Sequence, residues 1–175
     1  EYAEATRYFQ RLLTKIPTHV RARVGLGVAF KGQGNPNAAI REFEAALRIE
    51  PNHPEAHANL AMVLRTIGDP SSALRHLEAA LREKQDLVPA HLELAELLRE
   101  QGKLELAAQA YQKVLAIEPE NSPALNGLGR IEHMRGDPQK AGAFYQRALA
   151  AAPNDVESLY NWALLLGAQG KLDQA

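Results

Sequence analysis

Apolar residues along this chain recur with helical spacing, and the recurrences themselves repeat. Ala5, Phe9 and Leu13 stand four apart, as do Ala39, Phe43 and Leu47, then Ala73, Leu77 and Leu81, then Ala107, Tyr111 and Leu115, then Ala141, Tyr145 and Leu149. An i, i+4, i+8 stripe covers one face of an α-helix. A second series, Leu26, Leu60, Leu94, Leu128 and Trp162, is followed each time by a small residue, Gly27, Ala61, Ala95, Gly129 or Ala163. It marks a first helix in every unit, with the alanine stripe on the second. Both series step by 34 residues, and Ala175 continues the alanines. A small residue at one fixed point of every unit implies close backbone approach there.

Glycine and proline punctuate the same period. Gly34, Gly68, Gly102, Gly136 and Gly170 are 34 apart and precede Asn35, Asp69, Lys103, Asp137 and Lys171. Pro36, Pro70 and Pro138 follow three of these. Glycine after one helix and proline in the first turn of the next is the expected asymmetry at a helix–helix connection. Units close at Pro17, Pro51, Pro119 and Pro153, with Gln85 in the remaining one. The pattern therefore predicts an all-α chain of antiparallel helix pairs. It reads as one domain over 1–175: a half repeat 1–19, full repeats 20–53, 54–87, 88–121 and 122–155, and a partial repeat 156–175.

A 34-residue register of large–small pair, glycine turn, alanine, aromatic and closing proline resembles the tetratricopeptide repeat family. The resemblance covers the whole chain without insertion or deletion. It implies a right-handed alpha-alpha superhelix, or solenoid, whose first helices line a concave groove that binds a protein or peptide partner. Two departures stand out. The family often has tryptophan at position 4, where this chain has Arg23, His57, His91, Leu125 and Leu159. Glu132 occupies a place that is Phe30, Leu64, Leu98 and Leu166 elsewhere. A carboxylate there needs a partner or an exit to water, and looser packing is expected in 122–155.

One helical hairpin cannot bury its apolar face alone, so stacking on neighbours is required. The face of the first helices left for the groove carries positions 2, 5, 9 and 12, and the asparagines of position 6 could bond a ligand backbone beside it. Position 12 reads Lys31, Arg65, Arg99 and His133. Position 9 includes Met62 and Arg130, and position 5 includes Leu92, Asn126 and Tyr160. Asn59 and Asn161 hold position 6, where Gly25, Glu93 and Gly127 interrupt any continuous asparagine ladder. The candidate binding residues are thus Lys31, Arg65, Arg99, Arg130, His133, Asn59, Asn126, Met62, Leu92 and Tyr160. A basic ladder beside an apolar strip suits a segment carrying carboxylates, because arginine grips a carboxylate through two parallel hydrogen bonds. The competing explanation is that cations near a helix C-terminus are favoured by its dipole.

Composition narrows the chemistry. Twenty Lys and Arg against 21 Asp and Glu leave a net charge of −1, which gives no electrostatic footprint for nucleic acid. There is no cysteine, so disulfides and thiolate metal sites are excluded. The lack fits a reducing cytoplasm, and a periplasmic setting is also compatible with it. No apolar run approaches the roughly 18 residues of a membrane span. His53 and His57 have a metal-compatible spacing, and His91 lies 34 beyond His57. Pro54 places His53 before its helix begins, however, and no carboxylate cluster completes a site. Gly25-Leu26-Gly27 and Gly127-Leu128-Gly129 lack the third glycine and preceding strand of a dinucleotide loop, and the repeat register explains them as small residues inside helices. No serine stands in a nucleophile-elbow context. Trp162 fills a leucine position and is read as core. The expectation is a binding protein without catalytic residues, metal or cofactor.

The chain opens on Glu1 and reads as a piece of a longer array. Uncapped ends predict head-to-tail stacking of one copy on another, with only 171–175 and 1–5 in conflict. The leading function is an interaction scaffold for a partner peptide or protein. The alternatives are a substrate-recruiting arm of a larger enzyme, such as a glycosyltransferase of the O-GlcNAc transferase type, and a bacterial envelope or secretion assembly factor.

Overall fold

A computed structural model describes residues 1–168 and 170. Among these there are ten α-helices and no strand. In chain order they are α1 (Tyr2–Lys15), α2 (Val20–Gly32), α3 (Pro36–Ile49), α4 (Pro54–Thr66), α5 (Pro70–Glu83), α6 (Val88–Glu100), α7 (Leu104–Ile117), α8 (Ser122–Met134), α9 (Pro138–Ala151) and α10 (Val156–Ala168). Between residues 20 and 155 each 34-residue stretch carries two helices. Ala175 and Lys171, and the overlap expected at 171–175, lie outside the described residues.

Local chemistry accounts for the helix ends. Gly34, Gly68, Gly102 and Gly136 all have φ between +71° and +86°, a conformation only glycine adopts without strain. The next residue caps the second helix. The side chains of Asn35, Asp69 and Asp137 accept from the backbone N–H of Ala38, Ser72 and Lys140 at 3.2, 3.0 and 3.0 Å. Lys103 cannot accept, and α7 has no side-chain cap. First helices use a different set: His19, His53, Asn121 and Asp155 accept from Ala22, Ala56, Ala124 and Ser158. His53 therefore stands before its helix, as the following proline predicts.

The chain divides into two compact units, 1–93 and 94–175, with the division inside α6. In the first unit α1 packs on α2, α2 on α3, α3 on α4 and α4 on α5, and α2 also touches α4. In the second, α7 packs on α8, α8 on α9 and α9 on α10, and α8 also touches α10. The periodic residues form the cores. Ala39, Ala73, Ala107 and Ala141 are fully buried, as are Phe43 and Leu77, with Tyr111 and Tyr145 nearly so.

The glycines inside first helices exist to admit the aromatics. A Cβ on Gly27 would lie 2.5 Å from the Phe43 ring, and one on Gly25 would lie 2.4 Å from Phe9. In the second unit Gly127 faces Tyr111 and Gly129 faces Tyr145 in the same way. Trp162 packs against the cluster of Ala141, Tyr145 and Leu165.

The expected looseness around Glu132 is not found. Its Oε1 accepts from Arg135 Nη1 at 2.7 Å, so the carboxylate has a partner. Eight of the thirteen residues of α8 are buried, against five in α2 and five in α4.

Candidate partner-binding face

Position 12 and its neighbours converge within each unit. In the first unit the Lys31 ammonium lies 2.9 Å from Met62 Sδ and 3.4 Å from Asn59 Oδ1. Asn59 in turn donates to the Glu55 carbonyl at 2.8 Å. Burial lowers the Lys31 pKa, partly offset by the charge of Glu93. Arg65 donates from Nε to Glu93 Oε1 at 2.5 Å, and Glu93 is buried. Leu92 is half-buried.

In the second unit Arg99 donates through Nη2 and Nε to Glu96 Oε2 at 2.7 and 3.2 Å. The Tyr111 hydroxyl donates to the other oxygen of the same carboxylate. Arg130 Nη1 lies 2.7 Å from Glu157 and 3.8 Å from Glu96. Desolvation pushes the Glu96 pKa up, but the hydrogen bonds from Tyr111 and Arg99 and the two guanidinium charges outweigh it and hold the group below its ordinary value. Burial and the adjacent carboxylate raise Tyr111 far above the ordinary tyrosine range. Asn161 Nδ2 donates to Asn126 Oδ1 at 3.0 Å, and Asn126 is buried. Arg99, Arg130, His133, Tyr145 and Asn161 line an open cavity of about 210 Å³ together with Met134 and Leu164. His133 and Tyr160 are exposed.

The ladder is therefore not a row of free cations. Arg65, Arg99 and Arg130 are each matched by a carboxylate of their own unit, at Glu93, Glu96 and Glu157. Charge complementarity could be anticipated only in part, since Glu93 and Glu96 sit at register positions 6 and 9, but Tyr111 is a core position by pattern. Asn126 is committed to Asn161 and buried.

The position-4 departures form a second regularity. Arg23 Nε bonds the Pro17 carbonyl at 3.0 Å, and the Nε2 atoms of His57 and His91 bond the carbonyls of Pro51 and Gln85 at 2.8 Å each. A polar side chain at this place ties the first helix to the preceding closing turn. His57 also meets His76, a residue that the sequence reading did not single out. Among the described residues no group of three or more His, Asp or Glu is placed to hold a metal, and no helix is long and apolar enough to cross a membrane.

Comparison with known proteins agrees with the repeat pattern and the helical fold. Residues 59–123 and 92–156 match a family described as Tetratricopeptide repeat; two further matches with the same description cover 1–62 and 30–86, and 144–175. Among solved structures the chain is similar to PilW, a widely conserved type IV pilus biogenesis factor, with TM-score 0.87, 20% identity, and 98% of this chain and 80% of PilW covered. It is similar to pilF of Pseudomonas aeruginosa with TM-score 0.80, 25% identity, and coverage of 87% and 69%. It is similar to YrrB, a TPR protein with an unusual peptide-binding site, with TM-score 0.68, 21% identity, and coverage of 91% and 82%. Comparison with curated proteins gives no match.

Proposed function

The chain belongs to the tetratricopeptide repeat family, and from that premise we propose that it is a non-catalytic scaffold whose first-helix faces hold an extended or helical partner segment bearing acidic groups. Interaction with proteins is the role that this repeat supports. The acidic preference rests on one observation: Lys31 is half-buried, and its ammonium meets the neutral atoms Met62 Sδ and Asn59 Oδ1 instead of a carboxylate. A ligand carboxylate there would gain a charge-assisted hydrogen bond in a partly desolvated setting. In the second unit the Arg99–Arg130–His133–Asn161 cavity offers donors around an opening. YrrB, with its peptide-binding site, supports a peptide as the occupant.

The structure also selects the test. Reversing Arg65 or Arg99 would strand Glu93 or Glu96, so lost binding would be confounded with lost stability. Lys31→Gln leaves no bonded carboxylate behind. We expect acidic peptides from an array to bind the chain, to bind Lys31→Gln more weakly, and to weaken as salt rises. Equal binding of acidic peptides and their amidated Asn/Gln counterparts would remove the acidic preference while leaving the scaffold role intact.

A further inference from the structure

We propose that His57 and His76 form a two-imidazole site for a tetragonal transition-metal cation, Cu2+ or Ni2+. The rings face each other from α4 and α5, with Nδ1 to Nδ1 at 2.8 Å, ring centroids 5.1 Å apart and an interplanar angle of 33°. Both line an open cavity of about 520 Å³ with Glu44, Leu47, Arg48, Pro51 and Leu60.

The outer hydrogen bond selects the ligand atom. A carbonyl can only accept, so His57 Nε2 carries the proton that it donates to the Pro51 carbonyl. In the neutral ring this leaves the Nδ1 lone pair of His57 free, the arrangement in which a metal-binding imidazole is oriented through its other nitrogen. In the neutral pair His76 Nδ1–H then donates to it. Metal binding moves that proton from Nδ1 to Nε2 of His76, so no proton is released and both Nδ1 atoms become donors to the ion. Turning the rings off their shared line points both lone pairs at one cation.

The separation is compatible with a tetragonal ion. At a metal–nitrogen distance of about 2.0 Å, two cis ligands of a tetragonal ion stand about 2.8 Å apart, whereas a tetrahedral ion needs about 3.3 Å. The observed 2.8 Å is the length of the hydrogen bond between the two rings, and it equals the spacing that two cis ligands of a tetragonal ion take up once that bond is replaced. Waters complete the coordination. Of the charges around the pair, Glu44 on α3 and Asp69 at the N-cap of α5 favour a cation, and Arg48 on α3 and Arg75 on α5 oppose it.

The repeat contains its own controls. In 20–53 the same two positions hold Arg23 and Glu42, an ion pair at 3.0 Å, and Arg23 makes the same bond to the preceding closing turn. In 88–121 they hold His91 and Ala110, a single imidazole. Only 54–87 has two.

The test is Cu2+ and Ni2+ titration of the whole chain near neutral pH, with Cu2+ followed by electron paramagnetic resonance. The expected result is one tetragonal Cu2+ per chain carrying two imidazole nitrogens. His57→Arg/His76→Glu rebuilds the ion pair of 20–53, so it keeps the fold by circular dichroism while weakening binding at least about tenfold. His76→Gln gives the same loss, and His91→Ala changes nothing. Undiminished binding in the double variant, or a spectrum with a single nitrogen in the unaltered chain, would overturn the assignment.

Discussion

The ring of Tyr145 lies directly on Gly129, so close that a Cβ at that glycine would come within 2.5 Å of it. Alanine is worth about 1 kcal/mol over glycine in a helix interior, which by propensity alone favours Gly129→Ala. Overpacking of a full core costs about 1–3 kcal/mol and acts in the opposite direction. Because Tyr145 is buried, the ring cannot swing aside freely. We expect Gly129→Ala to lower stability in urea denaturation. Gly129→Ala/Tyr145→Leu should recover part of it, since 54–87 uses Ala61 with Leu77 at these positions.

Arg65 and Glu93 form the next measurable pair. Removing one partner of a buried ion pair costs about 3–5 kcal/mol, and less where one partner still reaches water, as Arg65 does. Arg65→Gln is therefore expected to cost about 1–3 kcal/mol, and Arg65→Gln/Glu93→Gln less than the single change. Lys31→Gln should cost little, because it removes a desolvated cation without stranding a bonded carboxylate. A double-mutant cycle read by chemical denaturation checks all three.

The carboxylate of Glu96 sets an acid limit. Its folded pKa lies below the ordinary glutamate value of 4.5, so its contribution is complete above that value and is lost as pH falls through the folded pKa. Stability should drop more steeply below about pH 4.5 in the unaltered chain than in Glu96→Gln. Tyr111→Phe removes a hydrogen bond to the carboxylate and raises its folded pKa toward the ordinary value, so the acid-linked loss should be smaller and complete at a higher pH. Thermal unfolding across an acidic pH series reads both effects.

Helix capping can be tested at Asn35, whose side chain accepts the Ala38 N–H. Asn35→Ala should cost about 1 kcal/mol. Lys103→Asn, at the α7 start that lacks a side-chain cap, should raise stability by a similar amount. Paired melting curves decide, and no gain from the second change would mean that this turn cannot present an Asx side chain to the helix.

Period and local chemistry were legible from the residues alone. Gly68 before Asp69-Pro70 specifies a turn and a helix start through φ, a cap and a fixed ring, all within a few bonds of one another. Ala73 and Leu77 specify the buried face through spacing. Helix pairs, their ends and the interior stripe follow, because short-range sterics and periodicity decide them. Pairing among long polar side chains is of another kind. Spacing puts Glu96 and Arg99 three apart on one helix, but nothing in it says that Tyr111 joins them, that Arg65 meets Glu93, or that His57 meets His76 nineteen residues away. Those contacts depend on how adjacent helices bring flexible side chains together. Packing therefore matched the arginines of the ladder, Arg65, Arg99 and Arg130, with carboxylates and left Lys31 on neutral atoms.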